Sequence, residues 1–483
     1  MNLSTKDSSD AVRRPLPVIV GAGPAGIRAA QALVQAGLRP ILLDEAPRGG
    51  GQIYRQPPPE QGRTPEELYG LEAARAKAVH GALEQIRGRV DYRPGHLVWN
   101  AGTGWLDVMT HALPGAAPRS SRIPWHDLII ATGAADRILP LPGWTLPGVY
   151  SLGGAQIALK HQGCSIGRRV VLMGTGPLLY LVAYQYARAG RRYGVTVAAV
   201  LDTAGFADKL AGMPGMLRQP MTTAKGVYYL AWLRSHGVTV QMGIMPQSIA
   251  GDGRVEQVNW RDAHGEARSL ACDAVAFGYS LRPETQLADL LDCRFEFDAL
   301  NRAHLPVRDA AGRSSVRGVY LAGDGAGIQG ADAAEWAGER AALALLSERG
   351  IPVNESRAAE LEARLRAIAG FRQALERSFP FPHDWARQAP DELVVCRCEE
   401  VTAGQLRQQV RDHGVLEINR LKALSRVGMG RCQGRMCACA AAEVLAEASG
   451  KPIDTVGRLR SQAPIKPIPM ALQATAEAHE VTP

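Results

Sequence analysis

The chain is short of several things, and each shortage removes a class of function. No run of about 20 apolar residues occurs, and the longest candidates, such as Leu178–Ala183, are the size of a core strand or helix, so no membrane span is predicted. The stretch Met1 to Pro17 is polar and lacks an apolar h-region, which predicts no export. No basic run carries interleaved aromatics, and nucleic acid is not an expected partner. The 11 histidines form no metal-spaced or catalytic cluster; His161 and His383 read as ordinary surface or satisfied side chains. No acid–base pair or substrate-carboxylate arginine stands out either. No Cys-x-x-Cys lies near the N-terminal glycine-rich turn or in the middle of the chain, so a dithiol–disulfide mechanism has no support. Beyond two glycine-rich units there is no internal repeat.

What is present reads as a multidomain globular protein. At 483 residues, two to four domains are expected. Hydrophobic content of 46% and charged content of 21% are ordinary. The net charge of +8, from 55 Lys+Arg against 47 Asp+Glu, serves solubility first and attraction to an acidic redox partner second. Eight cysteines without a signal peptide predict a reducing, cytoplasmic setting, where paired thiols bind metal more often than they form disulfides. Cys164, Cys272 and Cys293 are scattered and read as small buried hydrophobes.

Val18-Ile-Val-Gly21-Ala-Gly23-Pro24-Ala25-Gly26 is a short apolar strand running into G-x-G-x-x-G, followed by a helical pattern to Ala36 and a stop at Gly37. Gly21 permits the tight turn, Gly23 lets the backbone approach a pyrophosphate, and Gly26 lets the helix pack on the strand. The phosphates then sit at a helix N-terminus. A second strand, Pro40 to Asp44-Glu45, ends in acid: Asp44 is the expected ribose ligand and Glu45 the alternate. A further unit, Arg169 to Leu179, has Gly174-Thr-Gly176 but Leu179 in place of the third glycine. Leucine there would push the helix off its strand and disturb a phosphate cradle. Two readings compete: the unit is a working nicotinamide domain, Asp202 at the end of the next strand meeting the ribose, or, as Leu179 favours, it keeps the fold without NAD(P)H and is free to bind another nucleotide.

Two tight cysteine pairs, Cys396-x-Cys398 and Cys432-x4-Cys437, can converge on one metal centre near the C-terminus. Thr402 is a plausible N-cap for Ala403–Arg411, with Gly414 as the stop, and Ile418–Arg426 is a second helical stretch. The loop Gly428 to Cys437 then enters a helix over Ala438–Ala448. Its glycines free backbone N–H groups to face sulfur, and Arg397, Arg431 and Arg435 add positive potential around a thiolate-held [2Fe–2S] cluster. Zinc, a disulfide or no metal are the alternatives; zinc pairs commonly space as C-x2-4-C, which Cys-x-Cys does not match. Cys439, two residues on, is a second choice for the Cys437 position.

On these residues the chain resembles the large FAD-containing subunits of bacterial dye-linked amino-acid and opine dehydrogenases. That family includes the A subunit of opine oxidase, the alpha-type subunit of D-hydroxyproline dehydrogenase and the B subunit of hydrogen cyanide synthase. Arg48 to Gly51-Gln52 is similar to the glycine-rich loop beside the flavin in glutathione-reductase-like proteins, Ala131-Thr132-Gly133 to their mid-chain strand and turn, and Gly323-Asp324 to the late turn whose acid reaches the ribityl–phosphate of FAD. The cysteine module also resembles that of bacterioferritin-associated and nitrogen-fixation scaffold proteins, except that four residues lie inside its second pair; the fourth ligand is thus the least defined. The resemblance implies an α/β, two-dinucleotide-binding-domain flavoprotein with a helical [2Fe–2S] domain. It implies a relay of electrons from a smaller FAD-containing catalytic subunit similar to D-amino-acid and sarcosine oxidases. Some relatives place FMN at the interface between subunits, or add a small [2Fe–2S] subunit. The acceptor is a quinone, ferredoxin or dye, and a quinone would bring the protein to the inner membrane as a peripheral partner. A stand-alone NAD(P)H-dependent flavin reductase feeding the cluster is the rival. The expected organisation is a split FAD domain at 15–145 and 300–350, an inserted nucleotide-binding-like domain at 146–299, a helical connector at 351–390, the cluster domain at 391–452 and an extended tail at 453–483. Substrate, acceptor and stoichiometry are not legible.

Overall fold

The computed structural model describes residues 15–110, 118–470 and 473–474; most of the polar N-terminal stretch and the end of the tail lie outside the described residues. Short apolar segments that are buried on both faces form parallel sheets, because no face need stay polar; of the five strands of the first sheet, only the edge strand Asp91–Pro94 is polar and half-buried. Val18–Val20, Ile41–Asp44, Asp91–Pro94, Leu128–Ile130 and Val319–Leu321 pair in parallel, in the order Val319, Leu128, Val18, Ile41, Asp91 by first residue. The strand from 319 is added at the edge after almost two hundred intervening residues. Pro24–Gln35 and Ala331–Glu348 pack closely on each other: a Cβ on Gly338 would fall 1.9 Å from Ala25 O.

A second parallel sheet, in the middle of the chain, runs Thr239–Met242, Thr196–Asp202, Arg169–Thr175, Ala274–Tyr279, Val149–Ser151. The two halves are joined by an antiparallel pair, Ala134–Asp136 with Leu281–Pro283. The connector holds a long helix, Glu355–Ser378, N-capped by Asn354, and a short one, Trp385–Gln388.

The cysteine module does not hang free. Its buried residues, including Val395, Leu406 and Val444, share one continuous core with Val171, Phe277 and Trp144 of the second sheet's domain. Trp144 Nε1 donates to Val394 O at 2.7 Å and Trp385 Nε1 to Pro140 O at 2.8 Å. Within the module, Thr402 caps Ala403–His413 through a capping box with Gln405, and left-handed Gly414 ends that helix. The tail lies back on the first domain: Ile465 N donates to Trp99 O at 2.9 Å, and Gln473–Ala474 adds in parallel to Arg119–Pro124. Among the described residues no helix is long and apolar enough to cross a membrane.

One of the three scattered cysteines departs from the expectation. Cys272 and Cys293 are buried, but Cys164 is exposed. It follows left-handed Gly163, which ends the Ala158–Gln162 π-helical turn and sends the chain onto the surface.

Candidate functional site: a dinucleotide cleft facing a thiol cluster

Gly21 (φ 106°) turns the chain out of its strand, and a Cβ there would fall 2.3 Å from Ala131 O. On Gly26 it would fall 1.8 Å from Gly21 O; neither position admits another residue without movement. Gly23 differs, since an added Cβ would meet only Gly51 Cα, at 3.6 Å. Its side faces the cleft. Pro24, Ala25 and Gly26 form the buried first turn of Pro24–Gln35, and Gly23 at the N-cap supplies no side-chain cap. The first N–H groups are therefore available to an anion.

Close contacts bring the other expected cofactor residues to the same strand ends. Gly51 lies against Gly23, Gly323 against Ala25, and Gly325 against Thr132 and Gly133. Asp324 accepts from Gln329 N at 2.8 Å and Gly330 N at 2.9 Å. Arg48 and Gln52 lie at the edge: Arg48 donates to Pro57 O at 3.0 Å, and exposed Gln52 accepts from Arg55 at 2.8 Å. The buried Tyr92 hydroxyl, beside Gly49, has no hydrogen-bond partner. A free helix start, a glycine-lined cleft and an orphaned hydroxyl fit a dinucleotide such as FAD.

The acids at the second strand both have partners within the protein. Asp44 accepts from Ala22 N at 2.5 Å and Ala46 N at 2.7 Å, so both oxygens hold the turn's own backbone. Burial pushes its pKa up to about 6, and a buried carboxylate takes the nearest donors. Glu45 points outward and pairs with Lys466 of the tail at 2.6 Å.

In the second unit, Leu179 is fully buried. Asp202 is fully buried too, and its oxygens are spent within the protein: Oδ2 accepts from Tyr180 Oη and Lys209 Nζ, both at 2.7 Å, and Oδ1 from Ala204 N at 2.9 Å. The Lys209 ammonium in turn lies 3.3 Å from the Phe379 ring centroid. The acid that could have met a ribose is covered by Tyr180 and Lys209.

The four sulfurs of Cys396, Cys398, Cys432 and Cys437 form a contiguous chain. Cys398 contacts Cys432, Cys432 contacts Cys437, and Cys437 contacts Cys396. Cys437 lies against both Cys396 and Cys432, and its one thiol proton, shared between them, is the main reason that Cys432 is pulled down to about 5 and Cys396 to about 6, while Cys437 itself is raised. Backbone N–H groups add to this: Gly428, Glu399 and Cys398 face Cys396, while Met436 and Gly434 face Cys432. A Cβ on Gly430 would fall 2.3 Å from Cys398 Cβ, so glycine is needed there for the loops to meet. Among the described residues no three His, Cys, Asp or Glu side chains are set around a single metal ion. A serial run of four thiols, two of them readily ionised, is a donor set that fits a [2Fe–2S] cluster held by four thiolates. Cys439 faces elsewhere, into a cavity with Arg137, Arg282 and Arg302, and burial raises its pKa to about 11.

The expected ring of positive charge is only partly there. Arg397 is exposed and lies over Trp144, and Arg431 is exposed. Arg435 turns away from the sulfurs and pairs with Glu284 at 2.8 Å. Around that pair, Glu284 N donates to Gly133 O at 2.9 Å and Thr132 Oγ1 to Glu284 O at 2.7 Å. Arg282 Nε reaches Arg435 O at 3.1 Å, and Gln286 Nε2 reaches Gln433 O at 2.6 Å. Burial opposes ionisation of Glu284, but Arg435, Arg282 and Lys466 outweigh it and hold the pKa low. The turn of the dinucleotide cleft and the cysteine loop are thereby clamped together. Sequence reasoning missed Glu284, Arg282 and Gln286, because nothing in their spacing marks a link to a loop some 150 residues on.

Fold and site together define an oxidoreductase flavoprotein of the two-dinucleotide-domain type, joined to a cysteine module. The sequence pattern of the pyridine nucleotide-disulphide oxidoreductases matches residues 17–338, and that of the sarcosine oxidase A3 domain matches residues 393–477. The A subunit of opine oxidase from Agrobacterium tumefaciens is 36% identical, over 94% of this chain and 90% of that protein. The hydrogen cyanide synthase subunit HcnB of Pseudomonas aeruginosa is 35% identical, over 94% and 97%. L-proline dehydrogenase from P. horikoshii shares the fold, with a TM-score of 0.67 at 21% identity over 94% of this chain and 78% of that one. The chain belongs to the pyridine nucleotide-disulphide oxidoreductase family, among the relatives of the opine oxidase A subunit and HcnB. That family implies FAD.

Proposed function

We propose that this protein is the electron-relay subunit of a hetero-oligomeric flavin dehydrogenase that oxidises an amino acid or secondary amine of the opine, D-hydroxyproline/proline or glycine type. Its electrons leave through FAD and a [2Fe–2S] cluster held by Cys396, Cys398, Cys432 and Cys437, to a quinone, ferredoxin or dye. When bound, FAD takes up electrons in pairs and the cluster passes them on singly. The observation that carries the reading is the clamp from Thr132 and Gly133 through Glu284 and Arg435 to the Cys432 loop. It fixes the dinucleotide cleft and the thiols in one rigid relationship.

Each group has a part in this. Gly21, Gly23 and Gly26, with the N-terminus of Pro24–Gln35, would hold the pyrophosphate. Gly51 and Gly323 close the cleft around it, Asp324 orders the turn after its strand, and the buried cysteine loop keeps water from two of the sulfurs, those of Cys396 and Cys437. Amine oxidation itself, loss of two electrons and two protons from a CH–NH unit, is placed in a smaller FAD subunit resembling D-amino-acid and sarcosine oxidases. An FMN at the interface between subunits and a small [2Fe–2S] subunit complete the assembly. Relatives named as subunits, those of opine oxidase and hydrogen cyanide synthase, support a multi-subunit setting. The complex works in the cytoplasm, at the inner membrane where its acceptor is a quinone.

The rival reading, direct reduction by NADH or NADPH, meets the covered Asp202. Anaerobic mixing of the isolated chain with either nucleotide should leave the flavin oxidised. The chain co-purified with the product of a neighbouring gene should bleach with an opine, a proline derivative or glycine, screened with an artificial dye acceptor. Rapid bleaching by NADH or NADPH, or protein made without oxygen that lacks iron and acid-labile sulfide, overturns the proposal.

A further inference from the structure

Between the Leu281–Pro283 strand, the Phe295–Pro306 hairpin and the helices of the cysteine module lies a cavity of about 140 Å³. Six cationic side chains line it: Arg137, Arg282, Arg302, Lys422, Arg458 and Arg460. One carboxylate lines it, Glu443, and this is consumed by a two-pronged pair with Arg302 at 2.6 and 2.8 Å. Asp289, behind the wall, serves both Arg458 and Arg460.

The remaining three cations have no carboxylate of their own. Arg137, which is 4% exposed, donates to Asn301 O at 2.6 Å, Arg282 to Arg435 O at 3.1 Å, and Lys422 to Arg460 O at 3.0 Å. Glu284 attracts Arg282 and Asp289 attracts Lys422 at longer range, but each of these acids is already paired with other arginines. Arg282 Nη2 is buried without any hydrogen-bond partner. Burying positive charge without a counter-charge costs several kcal/mol per ion, and a bound anion removes that cost. Phe297, Leu305 and Ile418 share the walls with these cations, so a ligand with one charged end and a small body matches them.

We propose that this cavity is a binding site for a phosphoryl oxyanion, inorganic phosphate or a small phosphomonoester, with Arg137 and Arg282 as its principal ligands and Lys422, from the cysteine module, supporting. A cavity of this size accommodates a group about as large as a six-membered ring. Because its walls come from both the flavoprotein body and the cysteine module, occupancy would bind the two together. The site does not depend on whether the thiols hold a cluster.

The test uses the full chain, desalted into phosphate-free buffer. Its thermal midpoint is followed against inorganic phosphate and glycerol phosphate, with acetate, and chloride at matched ionic strength, as controls. A saturable rise with phosphate or the ester, absent with both controls, is expected. Arg282→Gln should weaken it at least about tenfold, which is ~1.4 kcal/mol; Lys422→Gln serves as the second variant should the first fail to fold. Tighter binding of the ester identifies an ester as the ligand, and equal or weaker binding identifies free phosphate. No saturable rise, an equal response to acetate, or unchanged affinity in the folded variants overturns the proposal.

Discussion

Glu284 and Arg435 form an ion pair at 2.8 Å, with side chains 11% and 15% exposed, across the boundary between the dinucleotide cleft and the cysteine loop. The glutamate's main chain holds Thr132 and Gly133, while the arginine's Nη1 reaches the Cys432 and Ile465 carbonyls. One pair thus ties together four separate stretches of sequence, at 132–133, 284, 432–435 and 465.

Removing one partner should be worse than removing both. Arg435→Met takes the paired arginine from a buried carboxylate and leaves it only Arg282 and Lys466 at longer range, a loss of up to ~3–5 kcal/mol, whereas Glu284→Met with Arg435→Met should recover much of it. Thermal melts of Arg435→Met, Glu284→Met and the double variant measure this coupling. Equal melting of the single and double variants would show that the pair is not the clamp described. The double variant should still transfer electrons from flavin to cluster more slowly than the native chain, read as the rate of cluster reduction after anaerobic flavin reduction.

The thiols should separate cleanly by role. Cys396→Ser or Cys432→Ser removes a sulfur from the contiguous run, and iron and acid-labile sulfide should fall to background with flavin absorbance retained. Cys439→Ser touches only the cavity and should leave iron content unchanged. Iron loss with Cys439→Ser and retention with Cys437→Ser would reassign the fourth ligand.

Gly23→Val should do the reverse. Within the protein its Cβ meets nothing nearer than 3.6 Å, so the flavin-free chain should melt close to native. The added bulk occupies the pyrophosphate approach, and flavin content should drop by more than about tenfold, equivalent to ~1.4 kcal/mol, with iron retained. Loss of both cofactors together would contradict the separation of the two sites.

Lys160 offers a pH test. It is 2% exposed, donates to Ile53 O at 2.9 Å, and burial lowers its pKa from 10.5 to about 7. The folded-state value lies below the unfolded one, so between pH 7 and 10.5 the unfolded chain binds more protons. Stability from this group therefore rises with pH through that window, by at most ~1.4 kcal/mol per pH unit. Lys160→Met should remove that rise, seen as a smaller gain in melting temperature between about pH 7 and about pH 9 than in the native chain. An identical gain in both proteins would show that Lys160 does not titrate there.

Much of the architecture was legible because it rests on local rules. Gly21 and Gly26 are read from strand–turn–helix sterics, the Thr402 cap and Gly414 stop from helix termini, and the cysteine pairs from their spacing. Leu179 marks the altered second unit in the same way. Asp44 and Asp202 were harder: a strand-end acid is visible in sequence, but whether it faces a ribose depends on which donors fold against it. Ala22 and Ala46 hold the first, and Tyr180 and Lys209 the second.

The order of residues alone determined two strand–turn–helix units, a cysteine-rich end and the helices between, since each arises from interactions over a few turns of chain. Tertiary packing alone decided that Arg435 answers Glu284 instead of the sulfurs, that Cys439 faces away from the other thiols, and that unpaired cations meet around one cavity. Those outcomes depend on charges and thiols distant in sequence being buried side by side, where each must be matched by a partner that no local pattern specifies.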